Sequence, residues 1–349
     1  MAFAISAENM DARRGDYRGA ETALAFSDPA AEFAALRSAC GLSELSWRRF
    51  FLVSGRDRGR WLNGMISNNV RDLPAGHGVY AFVLNPQGHI LGDLYAYNRG
   101  DDFVLQIEAA QAEKLYPQLK RFIIMDQVEF KPAEQFTALG LQGPKAEEVL
   151  RAAGFEFPGL QPLQAAEVTS GAWPVTLVRG DHPLSASYEL WSTAENARQL
   201  WEALLKAGAT PAGAEALELA RIAAGIPRYG QDIRERDLPQ ETGQTRALSF
   251  TKGCYIGQEI VERIRARGRL HRAFAGFRVV EGPLPAPGCK VQAGGKEVGE
   301  ITSAAVLPAN NGALPAALGY VRTEAGGPGA NVEVGSARAV IETLPFICD

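Results

Sequence analysis

The sequence predicts an α+β protein that closes on a small all-β barrel or sandwich. Three observations carry that expectation. Apolar runs at 79–84 and 89–97 flank Asn85-Pro86-Gln87-Gly88, which has the right residue at each position of a type I turn, so an antiparallel hairpin is expected. Helical patterns with their own start and stop residues recur among the strands, and helices packed on an antiparallel sheet define the class. Beyond Leu270 the runs shorten to strands at 274–280, 290–292, 296–303 and 318–322. Turns such as G-P-L-P-A-P-G and A-G-G-P-G-A separate them, which is the pattern of a barrel or sandwich and sets a boundary near residue 271.

Taken in order, the first helix is D-P-A-A-E-F-A-A-L-R-S-A-C-G. Asp28 caps it, Pro29 takes the first helical position, Gly41 stops it, and Phe33, Leu36 and Cys40 share its core face. The strand R-R-F-F-L-V-S-G follows, then a short helix over 57–63. In the second hairpin strand Asp93 stands among Leu91, Leu94 and Tyr95. Pattern alone puts it on the solvent face, because buried acids are rare unless paired. A third strand covers 103–108, a helix over 110–124 is interrupted at Pro117, and a fourth strand covers 127–131. Next come a strand at 136–142, a helix from Pro144 to Gly154, a looser Pro-rich passage, and strands at 175–179 and 187–191. Ser192 and Glu195 form a capping box for a helix whose core face is Leu200, Trp201, Leu204 and Leu205 and whose stop is Gly208. A helix over 214–224 is closed by Gly225.

The stretch L-S-F-T-K-G-C-Y-I-G-Q-E-I-V-E-R (248–263) concentrates the chemistry. Residues 248–250 read as the end of a strand, Lys252 and Gly253 turn the chain, and a helix over 258–267 follows. Ile260, Val261 and Ile264 form its apolar stripe, Glu259 and Arg263 support each other four residues apart, and Gly268 ends it. Cys254 has two readings. Between Lys252 and a helix N-terminus its thiolate is favoured and its pKa lowered; otherwise it is a small buried hydrophobe.

At 349 residues the chain has room for two or three domains. No segment is long and apolar enough to cross a membrane, and the N-terminus M-A-F-A-I-S-A-E-N-M-D-A-R-R-G lacks a signal-peptide core, so a soluble cytoplasmic protein is expected. Cys40, Cys254, Cys289 and Cys348 are too few and too scattered for a disulfide framework. With the isolated histidines they offer no metal-ligand spacing, so no metal site is expected. The net charge of −4 conceals a reversal: from Arg228 to Arg272 ten basic residues face six acids, and Arg263 to Arg272 holds five arginines and no acid. A solvated helix face accounts for such a run; an anionic ligand or RNA does so too.

Several marks together resemble one family. L-Q-G-P-K-A (141–146), A-R-I-A-A-G-I-P-R-Y-G-Q-D-I (220–233), the hairpin L-N-P-Q-G-H-I-L-G-D-L and the tail motif A-L-G-Y-V (317–321) are similar to the T-protein of the glycine cleavage system, a tetrahydrofolate-dependent aminomethyltransferase. K-G-C-Y-I-G-Q-E, preceded by D-L-P-Q-E-T, resembles the signature of a sister group, the YgfZ-type folate-binding proteins that support iron–sulfur enzymes. The resemblance covers the chain from about residue 28.

That resemblance implies a T-protein-like ring of three domains. An α+β folate-binding body comprises 1–50 and 136–270, a ferredoxin-like α+β domain is inserted over 51–135, and a β-barrel covers 271–349. It implies that Asp93 lies near the reacting nitrogen of tetrahydrofolate, although Gly92 replaces one member of the family's acid pair. Arg221 and Tyr229 match positions lining the folate cavity. Ser185 stands where T-proteins place a pterin-holding glutamate, with Glu189 close by. Within the octapeptide, Cys254 and Lys252 are the candidate chemical groups and Gln258 a further motif residue. An anionic glutamate tail would be drawn to arginines such as Arg228, Arg263 and Arg265.

Three functions follow as expectations. The leading one is a tetrahydrofolate-binding accessory protein for assembly or repair of iron–sulfur proteins, with Cys254 supplying a thiol and iron–sulfur client or assembly proteins as partners. The second is a folate-dependent aminomethyltransferase in which Asp93 orients the folate nitrogen or accepts its proton. The third is RNA binding through the arginine block, in keeping with the family's link to tRNA modification. Against it stand the acidic remainder of the chain and the lack of an aromatic-interleaved basic patch.

Overall fold

The computed structural model describes residues 12–171, 173–268, 270–309 and 312–348. Arg269, the side chain of Arg267 and most of the N-terminal segment considered as a signal lie outside the described residues. The chain divides into two compact units, Met1–Ala81 with Asp93–Leu217, and Phe82–Gly92 with Glu218–Asp349.

The first unit opens on a hairpin that the sequence does not announce, β1 (Arg13–Tyr17) and β2 (Ala20–Ala25). Helix α1 (Pro29–Ser38) starts as its cap predicts, with the Asp28 carboxylate accepting from the Ala30 N–H. Gly41 does not stop it: Ala39 is the C-cap, and Gly41 begins β3 (Gly41–Glu44). A Cβ at Gly41 would come within 2.3 Å of Leu36 Cδ2, so the glycine serves the close approach of helix and strand. There follow β4 (Arg48–Ser54), α2 (Arg58–Met65), β5 (His77–Leu84), β6 (Ile90–Asn98), β7 (Phe103–Glu108), α3 (Ala109–Lys120) and β8 (Glu129–Pro132). Their sheet has the order β5-β6-β7-β4-β8. Helix α3 is not interrupted at Pro117. The proline sits in the last turn, and burial of Leu115 and Leu119 outweighs one missing backbone bond.

The rest of this unit is β9 (Thr137–Gln142), α4 (Ala146–Ala152), β10 (Ala165–Ser170), β11 (Trp173–Arg179), β12 (Ser187–Ser192), α5 (Ala194–Lys206) and β13 (Thr210–Pro211). The sheet order is β10-β11-β12-β9-β3-β13, parallel only where β13 meets β3. Strand β10 lies in the passage that reads as loose, because Glu167 and Thr169 break its apolar pattern. Thr193, not Ser192, caps α5, its hydroxyl accepting from the Asn196 N–H; Ser192 is the buried end of β12. Leu200 and Leu204 of α5 join Leu139, Leu141, Leu177 and Leu190 in the core.

The division between units falls within α6 (Ala214–Ala223). The second unit contains α7 (Gln258–Arg267) and a closed barrel. Its strands are β14 (Arg272–Glu281), β15 (Lys290–Ala293), β16 (Lys296–Ala309), β17 (Gly312–Arg322), β18 (Asn331–Val334) and β19 (Ala337–Glu342), in the order β14-β17-β16-β15-β18-β19. Phe277, Val291, Ile301, Val321, Val332 and Ile341 fill its interior. Helix α7 has the predicted bounds, with Gly257 (φ 84°) and Gly268 (φ 66°) as left-handed caps and Arg263 2.7 Å from Glu259. Residues 248–250 are not a strand. They leave a 3-10 turn, Thr245–Ala247, with no strand beside them, and only Leu248 is buried.

The tip of the β5–β6 hairpin belongs to this unit, and glycine explains why. A Cβ on Gly88 would strike Ile260 Cβ at 2.7 Å, and one on Gly257 would strike Asn85 O at the same distance. The tight turn and the start of α7 are therefore fitted closely to each other, with no room for a side chain at either glycine.

Candidate functional site

Both units carry chemically interesting side chains. In the first, Asp93 on β6 is not solvated, and the expectation from pattern is corrected. The Tyr80 hydroxyl donates to one carboxylate oxygen at 2.6 Å and the Gln111 amide to the other at 2.8 Å. Gln111 in turn accepts from the Asp93 N–H at 2.9 Å, so a buried side chain at the start of α3 fixes the acid from two sides. Burial first, and next the Glu108 carboxylate, hold the Asp93 acid above the ordinary carboxylate range. The two hydrogen bonds and Arg48 pull the other way.

Glu189 on β12 belongs to the same network. It accepts from Gln106 on β7 and from Trp191 Nε1 at 2.8 Å, and it lies 3.5 Å from Arg48 on β4. Arg48 also sits over the Tyr95 ring, 5.9 Å from its centroid, and Tyr95 packs 5.0 Å from Tyr80. Arg48 Nε is buried with no hydrogen-bond partner. The result is a wall of tyrosine rings carrying two carboxylates, an amide and an orphaned guanidinium N–H. Such a set offers apolar faces and polar edges to a flat heterocycle. Gln106 carries the same signal as Asp93, a polar residue inside an apolar strand. Arg48 and Tyr80 carry no such mark, because their roles depend on distant partners.

In the second unit Cys254 is exposed, which excludes its reading as a buried hydrophobe, while Lys252 is buried and lies over the Tyr255 ring at 4.8 Å. Burial pushes the Lys252 amine down to about 7, so near neutrality the cation expected to support a thiolate is half discharged. Gln258 is used locally: its side-chain oxygen accepts from the Tyr255 N–H at 3.2 Å and closes the turn that presents Cys254. Arg263 is exposed beside Glu259. The D-L-P-Q-E-T segment is a clamp, with Arg272 donating to Asp237 at 2.7 Å and to Glu241 at 2.9 Å.

Arg221 is also a fastening residue in this structure. It is buried and bonded to Glu218, the Ile226 carbonyl, Asp232 and Ser303. Tyr229 is half-buried on the following loop. No group of three or more His, Cys, Asp or Glu side chains among the described residues could hold a metal ion, and no described helix is long and apolar enough to cross a membrane.

Lys252 gives a pH-dependent expectation. Its folded pKa is depressed, so the stability it permits is complete above about 10.5 and is lost progressively as pH falls from there to about 7. Lys252→Met is expected to flatten that dependence. Urea denaturation at pH 6 and pH 9 measures it; parallel pH dependences would show that the amine keeps its charge.

Three comparisons bear on this arrangement. The family model for the GCVT N-terminal domain matches residues 5–252. The aminomethyltransferase of Geobacillus kaustophilus is 31% identical over 344 residues, covering 95% of this chain and 93% of the relative. That of Thermus thermophilus is 30% identical over 345 residues, covering 97% and 96%. In fold, the chain matches the crystal structure of glycine cleavage system aminomethyltransferase T from Bartonella henselae. The TM-score is 0.89 over 97% of this chain and 95% of that one, at 24% identity.

Proposed function

The chain belongs to the GCVT family, with a T-protein-like fold, and from that premise we propose that it binds a tetrahydrofolate and handles one-carbon units on it. The observation that carries this reading is the Asp93–Glu189 wall. A pterin needs polar groups for its edge and apolar surfaces for its faces. Asp93, Glu189, Gln106 and the unpartnered Nε of Arg48 supply the first, and Tyr80 and Tyr95 the second. These residues would hold the ring even though Ser185 occupies the position of the family's pterin glutamate. When bound, tetrahydrofolate supplies the nitrogens that accept a one-carbon group. Asp93, fixed by Tyr80 and Gln111, then holds or accepts the proton released from the reacting nitrogen. Names of relatives alone favour aminomethyl transfer as the use of that folate. The test is formation of methylene-tetrahydrofolate from tetrahydrofolate and an aminomethylated carrier protein. Turnover supports the transferase; its absence in a folate-binding protein removes it.

A second reading rests on Cys254. The aminomethyl-transfer reading assigns no role to this exposed thiol, which stands on a turn closed by Gln258. It suits an accessory protein that uses folate and a thiol in assembling or repairing iron–sulfur proteins, as the K-G-C-Y-I-G-Q-E motif implies. In a strain lacking this protein, failure of Cys254→Ala to restore iron–sulfur enzyme activity supports that reading, and full restoration removes it.

A further inference from the structure

The outer face of the barrel carries a pocket of about 480 Å³, built wholly within the second unit. Five cationic side chains line it, Arg234, Arg236, Arg272, Lys290 and Arg322, against the carboxylates of Glu297 and Glu300. Register explains the convergence: Arg272 pairs with Arg322, Tyr320 with Glu300, and Glu300 with Lys290, so four neighbouring strands deliver side chains to one spot. Glu300 arranges the cations, lying 2.6 Å from Arg234, 3.2 Å from Lys290 and 3.6 Å from Arg236.

Two further features distinguish this pocket from a solvated charge cluster. Tyr320 is 2% exposed, and its hydroxyl has no hydrogen-bond partner. Arg234 Nε is likewise buried and unpartnered, 3.7 Å from Asp237 and beyond hydrogen-bond reach. A buried donor left unmade is costly, and both residues that carry one are among those lining the pocket. Arg236 and Arg322, each 61% exposed in their side chains, stand at the mouth with only distant or solvated partners. An acceptor-only ligand with negative charge meets all of these groups at once.

From the orphaned Tyr320 hydroxyl and Arg234 Nε among these arginines we infer that the pocket binds the oxyanion of a small molecule, a phosphoryl group or a carboxylate. Arg234 and Tyr320 supply the buried donors, and Arg236 and Arg322 the exposed ones. The site is independent of the Asp93 wall and does not rest on the folate reading.

Calorimetry on the full chain at low ionic strength, with inorganic pyrophosphate in one series and glutarate in another, tests the assignment. Binding of either supports it; the tighter probe identifies a phosphorylated or a dicarboxylate ligand. Tyr320→Phe is expected to weaken binding about tenfold while melting at the parent temperature or above, because its hydroxyl holds nothing in the free protein. Replacing Arg236 and Arg322 together by glutamine is expected to weaken binding further and to reduce its salt dependence. Failure of both probes to bind, or unchanged affinity in Tyr320→Phe, overturns the proposal. So does a lowered melting temperature in that variant, which would show the hydroxyl already satisfied.

Discussion

Asp232→Ala is expected to lower stability by about 3–5 kcal/mol, the largest single effect anticipated outside the apolar cores. Asp232 is wholly buried in the second unit. It accepts from Arg221 at 2.7 Å, from the Arg228 N–H at 3.0 Å, from Ser303 at 2.7 Å and from Thr302. Removing the carboxylate takes one of two counter-charges from the buried Arg221, which keeps Glu218, and leaves the Arg228 N–H and the Ser303 hydroxyl without their acceptor, so several buried donors left unmade together dominate the cost. Ser303→Ala deletes one partner and leaves the pair of charges intact, so its cost should be nearer ~1 kcal/mol. Equilibrium denaturation of both variants measures the ratio. Equal, small effects would mean that water replaces the carboxylate.

Asp93→Asn is the second large effect, and it falls on chemistry. Asparagine matches aspartate in shape, and its amide oxygen can accept from Gln111 while its NH2 group turns to the Tyr80 oxygen. The wall therefore keeps its geometry and the protein its stability. The group that holds or accepts a proton is lost, and one-carbon turnover should fall about 10²–10⁴-fold. The raised Asp93 pKa adds a pH signature. The ionised form is the working one, so activity should be lost as pH falls through a value above the ordinary carboxylate range. Stability runs the other way: a raised folded pKa contributes most at low pH and is lost as pH rises through it. Turnover unchanged in Asp93→Asn would remove the residue from the reaction.

Much of this architecture is local and hence legible. The turn at Asn85 to Gly88 and helix α7 with its glycine caps follow from residues adjacent in sequence, and four of the barrel's six strands show as short apolar runs between turns. Local pattern misleads where tertiary contacts override it. Gly41 is set by the approach of Leu36, α3 survives Pro117 because its apolar face is buried, and Thr193 takes the cap because Ser192 completes β12. Strands β1, β2, β10, β18 and β19 escape a reading by pattern, since their runs are short or interrupted by charge.

The site divides in the same way. Asp93 and Cys254 stand out as unusual residue types in their settings. Arg48, Gln106 and Glu189 meet only when β4, β7 and β12 are assembled, so nothing near them in sequence announces the network. Sequence makes Lys252 the charged support of Cys254; the fold buries it and lowers its amine to about 7.

Titration of the intact chain with tetrahydrofolate by calorimetry tests the central claim most directly. Binding is expected, weakened by Glu189→Ala, which deletes a carboxylate of the wall, and unaffected by Cys254→Ala. No heat of binding from the folded protein, or binding indifferent to Glu189, would contradict a folate site on this wall.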